Sequence, residues 1–323
     1  MAALACLVCC VSGELGAQQP RDESASDVRR NISNTDERPT TGDSGAFTLT
    51  YEGQQPLPGP HIGGRAVRVH SQGLYVTEKH YYVTGRLETP PKRALFLRFD
   101  RKNPKQAEYI DVTPSVDGQS RQRAEMDHPG GFDFDGSAFW IPVAISKPHS
   151  KSIVVKVAHE TETLFSQWQA EQVFRVDDHI GAIAVDRHTG QLYGANWDTK
   201  IIYAWGTDGK LAKKVPRDRL IHDDADWALA VQDWKSISRD RILAAGLDKN
   251  PRRPAFVSRS VIDLVDVGRS ALVARVRLPN PPGRDGTATR EGMAVFDERL
   301  FLLPGDLGRD AVVYRYRING RLE

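Results

Sequence analysis

The chain has 323 residues, and its 44 Lys and Arg nearly balance 42 Asp and Glu, for a formal net charge of +2. No Lys/Arg-rich run stands out, which argues against a nucleic-acid or anionic-membrane surface, and no apolar stretch reaches transmembrane length. The length suits one large all-β domain or two small ones.

All three cysteines (Cys6, Cys9 and Cys10) fall in the apolar run from Ala2 to Val11. That run is too short to cross a bilayer and suits the core of a secretory signal, with Leu15-Gly16-Ala17 as a small-residue cleavage site. No Lys or Arg precedes it, unlike an ordinary signal. Residues 1–17 are read as a signal peptide and the protein as secreted or periplasmic; a lipoprotein anchor is disfavoured, because no cysteine follows a Leu-small-small run. Beyond Cys10 there is no cysteine, so disulfides, thiolate metal sites and cysteine nucleophiles are excluded there. Residues 18–44 are polar and charged, too poor in apolar groups to offset their ordering entropy, and read as a disordered linker. Within them Asn31-Ile32-Ser33 has the glycosylation-acceptor pattern.

Residues 45–323 read as one domain of strands parted by Gly, Pro, Asn and Asp turns. Ala46–Tyr51 alternates as a strand. After it, a short polar residue, usually followed by glycine, leads five times into a similar apolar phrase. The openings are His61-Ile62-Gly63-Gly64, His128-Pro129-Gly130-Gly131, His179-Ile180-Gly181, Asp226-Trp227 and Glu291-Gly292. The first unit is expected to hold strands at 66–69, 74–77, 94–99 and 107–112, and the second at 132–134, 138–143, 152–157 and 172–176. Between the last two of these, residues 162–170 suit a helical turn with Leu164 and Trp168 on one face. The third unit places strands at 182–185, 191–195, 201–205 and 210–215, and the fourth at 228–231, 241–245, 261–265 and 272–278. The fifth has 293–296, 299–303 and 312–316, and then the chain ends one strand short.

Ala46–Tyr51 can supply the missing strand. Pairing it with the last unit closes a ring and removes the free sheet edges. The expected fold is therefore an all-β, five-bladed β-propeller of four-stranded blades, with six blades as the alternative count. A β-sandwich also uses short strands, but it does not require matching polar-glycine openings, and it rarely reaches this length as one domain.

In a propeller the first strand of each blade lines the central channel. The five openings then ring one mouth, and glycines let the backbones crowd the axis. His61, His128, His179 and Glu291 are candidate ligands for one divalent metal, with Asp226 beside them as a ligand-binding group. Imidazole-rich ligation favours Zn, Mn or Fe over Ca. The competing reading of the same polar residues is hydrogen bonding to water and backbone only. Loops between second and third strands share that face. Asn196 and Trp197 are candidate ligand-binding residues, with His80 and Asp198 as candidate acid or base. The second-to-third loop of unit five adds Asp306, Arg309 and Asp310. Gln232-Asp233-Trp234 is assigned a structural role on the opposite face.

The phrases His128-Pro129-Gly130-Gly131-Phe132, Asp178-His179-Ile180-Gly181 and Glu291-Gly292-Met293 resemble those of a poorly characterised family of bacterial and fungal β-propeller proteins, over roughly residues 61 to 318. More remotely, Glu291-Gly292 is similar to the first-strand openings of gluconolactonase, paraoxonase and strictosidine-synthase-like propellers. That resemblance implies a functional carboxylate at Glu291 and lactonase or esterase chemistry. The chain departs from those propellers in its five units and its histidines, which weighs against calcium and lactonase activity. Five-bladed glutaminyl cyclases share a Glu-Gly opening and little else. The expected function is a secreted, monomeric propeller that binds a small molecule or glycan at a His-rich mouth and acts as a metal-assisted hydrolase. The alternative is a metal-free module that binds a glycan or protein without catalysis.

Overall fold

The computed structural model describes residues 47–115, 125–217, 229–249, 259–269, 271–284 and 286–322. The expected signal peptide, linker and cysteines lie outside these residues, as does Asp226. All described residues belong to one unit, Thr41–Glu323.

Strand β1 (Phe47–Pro56) is followed by a small hairpin, β2 (His61–Ile62) and β3 (Arg65–Ala66). Four-stranded sheets follow in order, each built outward from the axis. Blade one holds β4 (Val69–Val76), β5 (His80–Leu87), β6 (Ala94–Asp100) and β7 (Ala107–Asp111). In blade two, β8 (His128–Pro129) and β9 (Asp133–Phe134) share the inner position before β10 (Ala138–Ala144), β11 (Ser152–Ala158) and β12 (Ala170–Val176). Blade three runs β13 (Ile180–Val185), β14 (Leu192–Asn196), β15 (Ile201–Trp205) and β16 (Leu211–Pro216). Blade four has β17 (Leu229–Ser238), β18 (Arg241–Asp248), β19 (Ser260–Asp266) and β20 (Ala271–Leu278). Blade five comprises β21 (Gly292–Phe296), β22 (Arg299–Leu303) and β23 (Val312–Gly320), with β1 antiparallel to β23 as its outer strand. Five four-stranded blades and closure by the N-terminal strand are as the sequence predicts.

The repeat is out of phase in unit one. The inner strand is Val69–Val76, not residues 66–69. The His61-Ile62-Gly63-Gly64 echo belongs to the β2–β3 hairpin, where Gly63 and Gly64 both take positive φ (58° and 75°). Two successive positive-φ residues make the turn that matches strand twist in a tight hairpin. These glycines serve a turn, whereas those of the other openings serve close packing. Residues 162–170 also differ from expectation: a single 3-10 turn spans Phe165–Gln167, Trp168 is buried and Leu164 is exposed.

Alternation along the strands places apolar side chains on both faces of each blade, and these interleave with the neighbouring blades. Tyr82, Phe96, Phe132, Phe139, Phe165 and Trp168 form the wedge between blades one and two. Leu243, Ile262, Met293, Leu302 and Tyr314 do the same between blades four and five. At Gly130 and Gly131 the inner strands approach too closely for a side chain. A Cβ on Gly130 would lie 2.3 Å from the Gly181 carbonyl, and one on Gly131 would lie 2.6 Å from that of Gln232.

Below the mouth the axis is filled. The Asp233 carboxylate accepts the amides of Leu74 and Met293 from blades one and five (3.0 and 2.9 Å). Asp133 accepts those of Val185 and Ser236 from blades three and four (3.1 and 2.9 Å). Buried Lys235 ion-pairs with Asp233 and donates to the Phe132 carbonyl. Satisfying buried amides with two carboxylates and one ammonium ties all five inner strands together. Gln232-Asp233-Trp234 therefore lies within inner strand β17, with Asp233 and Trp234 structural as expected.

Candidate functional site

Above this plug, a cavity of about 210 Å³ opens at the mouth. Its floor and walls include His70, His128, His179, Glu291, Gln72 and Gln232, and its rim includes Asn196, Trp197, Asp198 and Lys249. Three inner strands carry a register irregularity at equivalent places: at Gln72 between Ser71 and Gly73, at Gly181 between Ile180 and Ala182, and at Gln232 between Val231 and Asp233. A β-bulge re-aims the residue it inserts. All three inserted residues line the cavity. Gln232 thus belongs to the mouth, which corrects its expected place on the opposite face.

The histidines form an arc. His70 and His128 ring centroids are 6.2 Å apart, His128 and His179 5.6 Å, and the His179 ring meets Trp197 edge to face at 4.7 Å. His70 Nδ1 lies 2.8 Å from Asp306 Oδ1, an acceptor supplied by the loop between β22 and β23. This hydrogen bond pulls the His70 pKa above the ordinary imidazole value, outweighing partial burial. His179 Nδ1 lies 2.8 Å from the Ile145 carbonyl. A carbonyl can only accept, so Nδ1 carries the proton, and a neutral His179 holds its lone pair on Nε2. Burial pushes the His179 pKa down. Burial likewise pushes His128 down to about 3, helped by its histidine neighbours and Arg86, and its Nδ1 finds no protein partner.

Glu291 opens β21 and is buried. Gln72 Nε2 donates to its Oε2 (3.3 Å), and Arg290 Nε lies 3.2 Å from its Oε1. Burial still dominates over the pull of His70 and Arg290, and the carboxyl is pushed up to about 8. On the rim, Asn196 donates to Asp178 (2.9 Å) and accepts the Ile201 amide (2.7 Å), so it braces the β14–β15 loop. The next residues, Trp197–Thr199, form a 3-10 turn in which Asp198 adopts φ 59° and ion-pairs with Lys249.

Of the sequence-predicted residues, the structure gathers His128, His179, Glu291, Asn196, Trp197 and Asp198. It does not bring in His61, an exposed residue of the β2–β3 hairpin, and His70 takes the position expected of it. Nor does it bring in His80. That residue begins β5 and pairs with Asp100, next to the Val76–Tyr81 pair and at the opposite end of blade one from His70. Both departures follow from the phase of unit one. The signal for His70 was present, because Gln72-Gly73-Leu74-Tyr75-Val76 repeats the pattern of Glu291-Gly292-Met293-Ala294-Val295. Lys249 had no such signal, since it joins the rim only through its pairing with Asp198.

Among the described residues, no three His, Cys, Asp or Glu side chains are arranged to hold a metal ion. Of the four expected ligands, His61 is absent from the cavity.

The fold and the mouth define a five-bladed β-propeller with a buried polar cavity over a plugged axis. Residues 106–292, more than half of the chain, match the family of unknown function DUF6454, and the chain belongs to that family. A search of curated proteins finds no match. Among solved structures the chain is similar to one from the GH130 family of mannoside phosphorylases, described as containing glycoside hydrolases that target β-1,2 mannosidic linkages in Candida mannan. The two are 12% identical, with a TM-score of 0.50 over 86% of this chain and 95% of that one. A glycosyl hydrolase from Bacteroides ovatus is 13% identical, with a TM-score of 0.50 over 84% and 94% of the two chains. At these identities the likeness is one of fold alone.

Proposed function

We propose that the mouth binds a small polar molecule and catalyses its hydrolysis by metal-free acid–base chemistry. The observation that carries this reading is the gathering of three histidines and the buried Glu291 in one cavity, with His70 bonded to the Asp306 carboxylate and His179 Nδ1 to a carbonyl. These surroundings pull the His70 pKa up, push those of His128 and His179 down and push that of Glu291 up. Titratable neighbours driven apart in pKa supply an acid and a base at the same pH. Neutral His179, with its lone pair on Nε2, takes a proton from water; the Glu291 carboxyl gives one to the leaving oxygen. The Asp306–His70 pair presents a positive ring edge to charge that develops on the substrate, as oriented donors do in other hydrolytic sites. The cavity size suits a ligand of a few heavy atoms up to one sugar ring, with Trp197 as a wall.

Hydrolysis of lactones, aryl esters and nitrophenyl glycosides by the full chain tests the reading, the glycosides being included because of the fold neighbours. Turnover that falls about 10²–10⁴-fold in His179→Ala and in Glu291→Gln, and survives chelation, is the expected result. Ligand binding without turnover of any substrate would make the propeller a binding module. Stoichiometric Zn, Mn or Fe lost in His128→Ala would replace the acid–base account with a metal one.

A further inference from the structure

A second charged concavity lies away from the mouth, at the seam where the ring closes. Residues Arg101, Arg299, Arg315 and Arg317 converge there with Glu52 and Asp297 around an open hollow of about 550 Å³. The arrangement follows from strand register. Arg299 of β22 and Arg317 of β23 are directly opposed, and Arg315 lies two residues before Arg317 on the same face. Glu52 comes from the closing strand β1, at a register irregularity between Tyr51 and Gly53 that aims it at the arginines.

Like charges directly opposed on a sheet destabilise it, so this cluster needs anionic company. Glu52 supplies part of it, with one oxygen 2.7 Å from Arg317 Nε and the other 3.0 and 3.3 Å from Arg299 Nε and Arg315 Nε. Arg299 also turns Nη1 to Asp297. Arg101 lies over the rings of Tyr81, Phe296 and Phe301 and donates to the Thr77 carbonyl. Four guanidinium groups against two carboxylates leave a net charge of +2 in the hollow. Arg315 and Arg317 meet Glu52 through Nε, and among the described residues their Nη atoms donate no hydrogen bond to the protein. Two guanidinium forks on one rigid strand, two residues apart, match the geometry by which arginine holds a tetrahedral oxyanion.

We propose that this seam hollow binds a phosphate or sulfate group, as the free ion or as an ester on a small molecule, through the guanidinium groups of Arg315 and Arg317.

The test is calorimetric titration of the full chain with inorganic phosphate, inorganic sulfate and glucose 6-phosphate, at an ionic strength fixed with sodium chloride. Saturable one-site binding, weakened about tenfold or more in Arg315→Gln and again in Arg317→Gln, is expected. The Nε–H resonances of Arg315 and Arg317 should shift in the wild-type protein on adding phosphate, a readout independent of how the variants fold. Tighter binding of glucose 6-phosphate than of phosphate identifies an ester ligand, and the reverse identifies the free ion. Unchanged binding in Glu291→Gln separates this site from the mouth. A linear response that sodium chloride reproduces, with no shift at either arginine, would overturn the proposal.

Discussion

Replacing Glu291 with glutamine removes one ionisation while keeping the size of the side chain and a hydrogen-bond acceptor for Gln72. The wild-type carboxyl is 4% exposed, and burial pushes its pKa up to about 8 from the 4.5 of a free glutamate. Between these values the folded state binds more protons than the unfolded state, so stability declines as pH rises. The contribution of this group is fully present below about pH 4.5 and is lost as pH passes through 8. A shift of this size at about 1.4 kcal/mol per unit gives ~5 kcal/mol, and exposed Arg290 beside it reduces the expected effect to roughly 3–5 kcal/mol. Urea denaturation of both proteins at pH 5, 7 and 9 reads it directly, because every other titrating group is common to the two. Relative to Glu291→Gln, the wild type should lose roughly 3–5 kcal/mol between pH 5 and pH 9. A difference that stays flat over this range would mean that the carboxyl ionises as freely in the fold as outside it.

Close packing at the axis makes a paired prediction. Gly130→Ala, whose Cβ would sit 2.3 Å from a carbonyl of the next blade, should fail to accumulate as folded protein, whereas Gly181→Ala, with its nearest atom at 3.8 Å, should fold with near-normal circular dichroism. In the plug, Lys235→Met strands the buried Asp233 carboxylate and should cost about 3–5 kcal/mol in urea denaturation; adding Asp233→Asn should recover part of that loss. At the mouth, His70→Ala should abolish turnover of any substrate found, and His61→Ala should leave both kcat and KM unchanged. The pH profile of kcat should fall on the alkaline side near 8, as Glu291 loses the proton it donates.

Much of this architecture was legible because it depends on local patterns. The alternating runs 299–303 and 201–205 coincide with β22 and β15, and a fifth unit one strand short pointed to Phe47–Tyr51 as the closing strand. The error in unit one shows where local pattern fails. A polar-Gly-Gly phrase serves equally for a hairpin turn and for an inner strand pressed on its neighbours. Only the three-dimensional packing tells Gly63 from Gly131. The site was half legible for the same reason. His128, His179 and Glu291 sit in clear repeats, while His70 lay hidden by the phase error. The bulges at Gln72 and Gln232 reverse the side expected from simple alternation. Asp306 was placed on the correct face, but its bond to His70 spans 236 residues of sequence and has no local signature.

Neighbouring histidines at the mouth held in opposite protonation states would be seen by titrating their ring nitrogens by nitrogen-15 NMR from pH 4 to pH 9. That arrangement has His70 titrating above the ordinary imidazole value and His179 below it as an Nδ1–H tautomer when neutral, with His128 neutral down to at least pH 5. Three rings that titrate together near 6.5 would contradict it.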